Sequence, residues 1–221
     1  MTSASSSKPD LSATAATRRR YQRLSPLYDV MEGISERRHH PWREKIWSMV
    51  PGHHILEIGI GTGKNMQFYP AGISITGIDI TPGMLQRAQK RAGELRLSSI
   101  VELNLGDVQQ LDFPDGKFDS AVATFVFCSV SDPVLGLCEL KRVVKPGGHV
   151  LLLEHMRSLN PLLGAVMDIL NPLIVRMMGA NINRRTVENV HKAGLEIEQV
   201  EDLGAGGIFK LIVARVPLKH S

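Results

Sequence analysis

An apolar segment that runs into three closely spaced glycines limits most strongly what this 221-residue chain can fold into. Residues 54–63 read His-Ile-Leu-Glu-Ile-Gly-Ile-Gly-Thr-Gly. A run of apolar, largely β-branched residues is typical of a parallel strand that is covered on both faces. The glycines allow the backbone to adopt positive φ angles and to approach a ligand closely. We therefore predict a buried strand, a glycine loop and a following helix, an arrangement that binds nucleotides.

The spacing of the glycines separates this loop from two common phosphate-binding loops. The third glycine comes one residue earlier than in the Gly-x-Gly-x-x-Gly pattern of dinucleotide-binding domains. No Gly-Lys-Ser/Thr follows, as a P-loop requires. A different nucleotide-type ligand is therefore expected, and a dinucleotide-binding domain stays the alternative.

Strand and helix patterns alternate after this loop. Strands are predicted near residues 54–59, 73–79, 100–105, 118–125, 148–154, 195–201 and 207–215, and helices near residues 63–69, 82–96, 132–144 and 183–193. Such alternation predicts a parallel sheet with helices on both faces. The run Gly-Ala-Gly-Gly at 204–207 predicts that the last two strands form an antiparallel hairpin. No internal repeat or linker interrupts the pattern, which indicates one domain.

Five sequence blocks follow one another in a recognisable order. They are Glu57-x-Gly59-x-Gly61-x-Gly63, the strand that ends in Asp79, Leu-Gly-Asp-Val at 105–108, Phe-Asp-Ser-Ala-Val-Ala-Thr at 118–124, and Leu-Lys-Arg-Val-Val-Lys-Pro-Gly-Gly at 140–148. Together they resemble the motifs of class I S-adenosylmethionine (SAM) methyltransferases. The resemblance implies a Rossmann-like α/β fold. Its seven-stranded sheet would be mostly parallel, with a C-terminal antiparallel hairpin and helices on both faces. SAM would be the cofactor and S-adenosylhomocysteine the product.

The resemblance also implies which residues bind the cofactor. Asp79 would accept hydrogen bonds from the ribose hydroxyls, and Asp107 with the Val108 backbone would bind the adenine edge. The whole expected set is Glu57, Gly59, Gly61, Thr62, Gly63, Asp79, Ile80, Asp107, Val108 and Thr124. Each acidic residue has a structural alternative, a helix cap for Asp79 and a turn for Asp107.

Methyl transfer mainly requires positioning and exclusion of water, and some acceptors must also lose a proton. The candidate proton acceptors are His155, just after the fifth strand, and Tyr28, His39 and His40 in the N-terminal part. The alternatives are a structural role for His155 and simple solvation for the two adjacent histidines.

The N-terminal part is predicted to be a disordered, Ser- and Ala-rich arm over residues 1–17, followed by a helical cap over residues 18–50. Within the cap we expect a helix break at Pro26 and a second helix over residues 41–50. The whole net charge of +4 arises within residues 1–24, since the charges of the remaining chain balance. This predicts contact with an anionic membrane, and a solvated tail is the alternative.

Residues 159–180 form an apolar insertion after the fifth strand. We expect this insertion to be a lid over an apolar acceptor, divided into short pieces by Asn160-Pro161 and Asn171-Pro172. A pair of ordinary core helices is the alternative.

The acceptor is indicated by two further resemblances. Residues 25–31 and 40–43 are similar to ubiquinone/menaquinone C-methyltransferases, and Glu154-His155 with residues 181–186 is similar to small bacterial phosphatidylethanolamine N-methyltransferases. Both imply a lipid-like or amphipathic small molecule. Phosphatidylethanolamine N-methylation is the first choice, quinone-precursor C-methylation the second and thiol S-methylation the third. A SAM-binding protein without catalysis is the alternative from another class.

Several partner classes are disfavoured. The nucleic-acid methyltransferase tetrad is missing, because residues 124–127 read Thr-Phe-Val-Phe, so no nucleic acid is expected. Cys128 and Cys138 provide neither metal-ligand spacing nor a disulfide framework, so no metal is expected. The chain shows neither a secretory signal nor an apolar run of membrane-spanning length. We therefore expect a cytoplasmic protein, with peripheral membrane contact as a hypothesis.

Overall fold

The computed structural model describes residues 8–25, 28–204 and 207–218. A seven-stranded sheet lies at its centre, formed by β1 (His54–Ile58), β2 (Ser74–Asp79), β3 (Val101–Leu105), β4 (Phe118–Thr124), β5 (Val144–His155), β6 (Glu196–Asp202) and β7 (Phe209–Arg215). The strand order is β3-β2-β1-β4-β5-β7-β6. Strand β7 pairs antiparallel with β5 and β6, whereas the other pairs are parallel. The predicted Rossmann-like fold is confirmed.

Six α-helices surround the sheet in the described part of the chain. They are α1 (Leu11–Leu24), α2 (Tyr28–Ser48), α3 (Pro82–Glu94), α4 (Pro133–Val143), α5 (Pro161–Met178) and α6 (Thr186–Lys192), and a short 3-10 helix spans Lys64–Phe68. Each face of the sheet has its own apolar core. Leu152 of β5 packs with Leu140 of α4, whereas its neighbour Leu151 packs with Trp47 of α2. The two cores follow from the alternation of side chains along a strand.

The N-terminal part differs from its prediction. The expected disorder of residues 1–17 is wrong for residues 11–17, which form the first turns of α1. Asp10 caps this helix, because its Oδ1 accepts hydrogen bonds from the backbone amides of Ser12 (2.9 Å) and Ala13 (3.1 Å). Residues 1–7 and the predicted break at Pro26 lie outside the described residues.

The expected start of the second helix is also wrong. Helix α2 is continuous from Tyr28 to Ser48 and contains Pro41 in its interior. Proline removes one helical hydrogen bond, so other contacts must hold the helix together at this point. Arg43, Ile46 and Trp47 supply them, since all three are buried immediately after the proline.

The insertion after β5 is one helix rather than several short pieces. Asn160 caps α5 through hydrogen bonds from the amides of Leu162 and Leu163, and Pro161 occupies the first turn. The Asn160-Pro161 step therefore begins the helix, as an Asn cap followed by proline favours. Pro172 lies within the helix, so the predicted division at Asn171-Pro172 is wrong.

The packing between β4 and the start of β5 can be tested by a substitution at Gly148. A Cβ atom on Gly148 would lie 2.4 Å from the backbone oxygen of Asp119 and 2.9 Å from that of Lys145. We expect Gly148→Ala to lower the free energy of unfolding by about 1–3 kcal/mol, since backbone atoms cannot yield easily. The matched control is Gly93→Ala in α3, where no heavy atom lies within 4 Å of the Cβ position. Alanine should raise helix stability there by up to about 1 kcal/mol.

Both variants can be measured by denaturant unfolding of the purified protein. Equal stability of Gly148→Ala and the parent would contradict the described packing of this glycine.

Candidate active site

A cavity of about 780 Å³ opens at the carboxyl edge of the sheet. Seven of the ten residues expected to bind the cofactor line it: Gly59, Gly61, Asp79, Ile80, Asp107, Val108 and Thr124. Helix α1 covers the cavity, since Thr14, Thr17 and Tyr21 form part of its wall. Sequence reasoning had not predicted this position for α1.

The glycine loop after β1 has the backbone that the sequence predicts. Gly59, Gly61 and Gly63 have φ angles of 59°, 57° and 79°, which side chains other than glycine rarely adopt. Gly59 also lies in close contact with the loop after β4, because a Cβ atom there would be 2.6 Å from Cγ2 of Val126. Glycine is therefore required both for the turn and for the close approach of these two loops.

Asp79, at the end of β2, holds this loop and lines the cavity at the same time. Its Oδ2 accepts a hydrogen bond from the Gly61 amide (3.0 Å), and its Oδ1 accepts one from the Thr81 amide (2.8 Å). Burial raises the pKa of Asp79, although these amide bonds oppose the rise. Each carboxylate oxygen can accept more than one hydrogen bond, so both remain able to bind ligand hydroxyls.

Asp107, after β3, connects the cavity wall to α1. Its Oδ2 accepts a hydrogen bond from the Thr14 hydroxyl (3.1 Å), and its Oδ1 accepts one from the Gln109 amide (2.9 Å). The buried Gln109 side chain donates to Asp107 and Thr14 and accepts from the amide of Asp132. Gln109 was not predicted, because nothing in its sequence neighbourhood marks it as more than a loop residue.

A second cavity of about 320 Å³ shares Gly59, Gly61, Thr124 and Phe125 with the first, and Thr62 lies in its wall. Arg43 and Lys64 also line it, which brings two cationic side chains to one end of the combined space. Both side chains pair with Glu36, at 3.2 Å and 3.4 Å, so the three groups together leave one positive charge, which suits a carboxylate. Arg43 is buried, and its only signal in the sequence was its place in the motif His-Pro-Trp-Arg.

Arg43 is fixed by a buried polar network. Its Nη1 donates to Oδ1 of Asn65 (2.8 Å) and to Oγ1 of Thr124 (3.2 Å), and its Nε lies 3.2 Å from Oε1 of Glu36. Nδ2 of Asn65 donates in turn to the Thr124 hydroxyl (2.8 Å). The network therefore joins α2, the 3-10 helix and the end of β4.

Glu57 lines neither cavity, although the sequence analysis places it facing the cofactor. Its carboxylate accepts hydrogen bonds from Nδ2 of Asn65 (2.6 Å) and from the Tyr69 hydroxyl. Burial raises the pKa of Glu57 to about 7, against the opposing effects of Tyr69, Asn65 and the charge of Arg43. Glu57 thus positions Asn65 from behind the cavity. Gly63 likewise lies outside both cavity walls and contributes through its backbone turn.

The loop after β4 is held by a buried acid that sequence reasoning did not place in the site. Oε1 of Glu154 accepts hydrogen bonds from the amides of Val126 (2.9 Å) and Phe127 (3.0 Å). Burial raises the pKa of Glu154 to about 7. Phe125, at the start of this loop, has a φ of 59°, which costs energy for a residue with a side chain. Glu154 therefore stabilises a strained turn in the cavity wall.

His155 lines neither cavity and belongs to a group of rings that we call the aromatic cluster: His39, Trp42, Phe125, His155 and Phe209. The ring of Phe209 lies 5.3 Å from His155 and 5.1 Å from Trp42, and His39 lies 4.6 Å from Phe125. Burial lowers the pKa of His155, which favours its neutral form. Phe125 belongs to the cluster and lines both cavities, so it connects the two.

Of the other two proton-acceptor candidates, His40 is not brought to this cluster. His40 is exposed and packs edge-on against Phe68, 4.7 Å away, on a different side of α2 from His39. The Tyr28 side chain lies outside the described residues, although its backbone begins α2. A one-residue difference on a helix turns the side chain by about 100°, which explains why His39 and His40 differ.

Comparisons with known proteins agree with this geometry. Residues 56–152 match the model of a family described as a methyltransferase domain. A phosphatidylethanolamine N-methyltransferase of Cereibacter sphaeroides is 38% identical over 112 residues, which cover 50% of this chain and 55% of that protein. Residues 56–152 therefore resemble a methyltransferase domain, and the seven-stranded sheet has the class I methyltransferase fold.

Two further similarities place this methyltransferase domain among its relatives. A demethylmenaquinone methyltransferase of Deinococcus radiodurans is 29% identical over 175 residues, covering 76% of this chain and 72% of that protein. The solved geranyl diphosphate C-methyltransferase of Streptomyces coelicolor, in complex with Mg²⁺, geranyl diphosphate and S-adenosyl-L-homocysteine, has a TM-score of 0.65 and 16% identity. The match covers 80% of this chain and 78% of that protein, and it shows that the two share a fold. The chain matches little more than half of the Cereibacter protein.

The residues of the methyltransferase site fit SAM in their chemistry. Asp79 offers acceptors for hydroxyl groups, and Asp107 offers acceptors for an amino group. Ile80 and Val108 form apolar walls of the kind that a base requires. Arg43 offers a cation for a carboxylate in the adjoining cavity. The hydroxyl groups, the amino group of the base and the carboxylate of the cofactor therefore each have a candidate partner of suitable chemistry.

Asp79 provides the sharpest test of cofactor binding. Asp79→Ala removes acceptors for two hydroxyl groups and the bond that holds the Gly61 amide, which together should cost about 1.5–3 kcal/mol. Titration calorimetry should show SAM affinity reduced at least about tenfold. Asp112→Ala is the matched control, since Asp112 is exposed and outside both cavities. A folded Asp79→Ala variant with unchanged affinity would remove Asp79 from the site.

The raised pKa of Glu154 predicts how the stability of the domain depends on pH. Its folded-state pKa of about 7 lies above its ordinary value of 4.5, so the folded state binds the proton more tightly. The stability that Glu154 contributes is complete below pH 4.5 and is lost as the pH rises through about 7. The pKa of Glu57 is also raised, so Glu57 adds to this loss of stability as the pH rises.

The corresponding variant is Glu154→Gln, whose side chain does not titrate. Between about pH 5 and about pH 8, its free energy of unfolding should fall less than that of the parent, by about 1–3 kcal/mol. Equal slopes for both proteins would contradict the raised pKa of Glu154. Glu188→Gln, at an exposed position of α6, should leave the slope unchanged.

Proposed function

We propose that this methyltransferase transfers the methyl group of SAM to the amine of a lipid-like acceptor, with phosphatidylethanolamine as the first candidate. The observation that carries the proposal is the aromatic cluster, which adjoins both cavities through Phe125. Aromatic faces attract ammonium groups, both in an ethanolamine head group and in its methylated products. The relative from Cereibacter sphaeroides bears the name of this activity.

A guanidinium beside the cluster supports the same acceptor class. Arg38 lies 5.7 Å from the ring centres of both Trp42 and Phe209. A phosphate that joins an ethanolamine group to a lipid could pair with Arg38 while the amine contacts the rings. The cluster and Arg38 therefore match the two charges of a phosphoethanolamine head group.

SAM, when bound, supplies a methyl group on a positively charged sulfur. Asp79, Asp107 and Arg43 bind and orient its polar parts. Phe125 and Val126 exclude water from the space between the cavities, because Glu154 holds their loop in place. An amine must lose a proton before it can react, and neutral His155 is the group proposed to accept it.

Methylation of a quinone precursor at carbon is the second candidate. A planar ring could stack on Phe125, Trp42 or Phe209 in the same cluster. The Deinococcus radiodurans relative, with the longer match, is named a demethylmenaquinone methyltransferase. Thiol S-methylation and SAM binding without catalysis stay predictions from sequence.

The acceptor can be identified by methyl transfer from labelled SAM with the purified protein. Phosphatidylethanolamine, a demethylated quinone and a small thiol should be offered separately in detergent, and products identified by mass spectrometry. We expect methylated phosphatidylethanolamine. Transfer to the quinone or thiol alone would overturn the first choice, and transfer to none of the three would favour SAM binding without catalysis.

His155→Gln tests the proton acceptor. Turnover of the amine should fall at least about tenfold, and its pH dependence should flatten, while SAM affinity stays unchanged. His40→Gln is the matched control, since this exposed histidine lies outside the aromatic cluster. If both variants turn over like the parent with the same pH profile, His155 has no part in proton transfer.

A further inference from the structure

Helix α5 carries an apolar stripe that faces solvent. The stripe consists of Leu162, Val166, Ile169 and Leu173, whose spacing places them on one side of the helix. Their exposed fractions are 80%, 49%, 77% and 55%. A helix of a folded domain normally turns such a face towards the core. An exposed stripe of this kind indicates a contact surface rather than core packing.

Specific contacts hold the opposite side of α5 against the domain. Met167 is buried, and Arg157 pairs with Asp168 through Nη2 and Oδ2 at 2.8 Å. Oδ1 of Asn171 accepts a hydrogen bond from the Ile182 amide (2.9 Å). A Cβ atom on Gly164 would lie 2.4 Å from Arg157, so the guanidinium packs directly on the helix. These contacts orient the helix with its stripe outward.

A basic helix, α1, contacts the C-terminal end of α5. Residues 11–24 of α1 contain four arginines and no acidic residue, and Arg18, Arg19 and Arg23 are exposed. The fourth, Arg20, lies against Gly179, the residue that ends α5: a Cβ atom on Gly179 would be 2.7 Å from its Cδ. The basic helix α1 therefore contacts the C-terminal end of α5.

We propose that the α5 stripe and the exposed arginines of α1 form one docking surface for an anionic lipid bilayer. An apolar helical face beside arginines is the chemistry of a helix that lies in the membrane interface. No helix among residues 8–25, 28–204 and 207–218 has the length and apolarity to span a bilayer, so docking would be peripheral. The proposal does not depend on which acceptor is methylated.

The outward-facing stripe argues against the interpretation of residues 159–180 as a lid over the acceptor. Neither cavity is lined by any of these residues, and the stripe points away from the sheet. Helix α1 instead covers the cofactor cavity and also bears the arginines. Docking would therefore bring the mouth of the site close to the lipid that contains an amphipathic acceptor.

Flotation with vesicles tests the proposal in the full chain without SAM or acceptor turnover. The parent should bind vesicles of phosphatidylcholine with phosphatidylglycerol, and added salt should weaken this binding. Leu162→Ser/Ile169→Ser should lower the bound fraction at least about fivefold. The matched control is Val200→Ser/Leu218→Ser, which replaces two exposed apolar residues elsewhere and should bind like the parent. Arg18→Gln/Arg19→Gln/Arg23→Gln should lose the preference for anionic vesicles.

Equal binding by the parent and the stripe variant would overturn the proposal. So would a parent dimer that Leu162→Ser/Ile169→Ser dissociates while neither protein binds vesicles, since the stripe would then contact a second copy. If this variant melts well below the parent, Val166→Ser/Leu173→Ser tests the same stripe. SAM affinity and turnover of a detergent-dispersed acceptor, measured on the same variants, report separately on the proposed function.

Discussion

The hydrogen bond from the Gly61 amide to Asp79 is the interaction on which the rest of the site depends. It joins the glycine loop after β1 to the end of β2, so two loops that are distant in sequence form one wall. The adjacent bond from Ile60 to the Ile78 carbonyl (3.0 Å) continues the strand pairing up to the loop. Because the carboxylate also faces the cavity, the group that organises the loop is available to the cofactor.

Two other buried acids organise the site from behind. Glu57 holds Asn65, and Glu154 holds the strained turn at Phe125. Both carboxyl groups are almost completely shielded from water, and for both, burial is the main cause of the raised pKa. Burial of such groups lowers stability near neutral pH, so their presence indicates that orientation of the cavity walls matters more here than maximal stability.

Helices α1 and α5 depart most from the sequence predictions, and they lie at different places in the domain. Helix α1 lies over the cofactor cavity, where Thr14 bonds to Asp107 and Tyr21 bonds to Ser129. Helix α5 turns its apolar stripe away from the domain. Helix α1 therefore forms part of the cofactor cavity and also carries the basic residues.

The linear sequence was sufficient for the α/β class, the strand positions and the cofactor edge, because these follow from local periodicity and from glycines that need positive φ angles. Asp79 and Asp107 could be placed since the carboxyl ends of parallel strands meet at one edge. Arg43, Gln109 and the position of Glu57 could not be predicted, because each depends on contacts between segments far apart in the chain. Only tertiary structure decided that His39 rather than His40 joins the aromatic cluster and that the α5 stripe faces outward. Periodicity identifies an apolar face, but the packing of the whole domain determines where that face points.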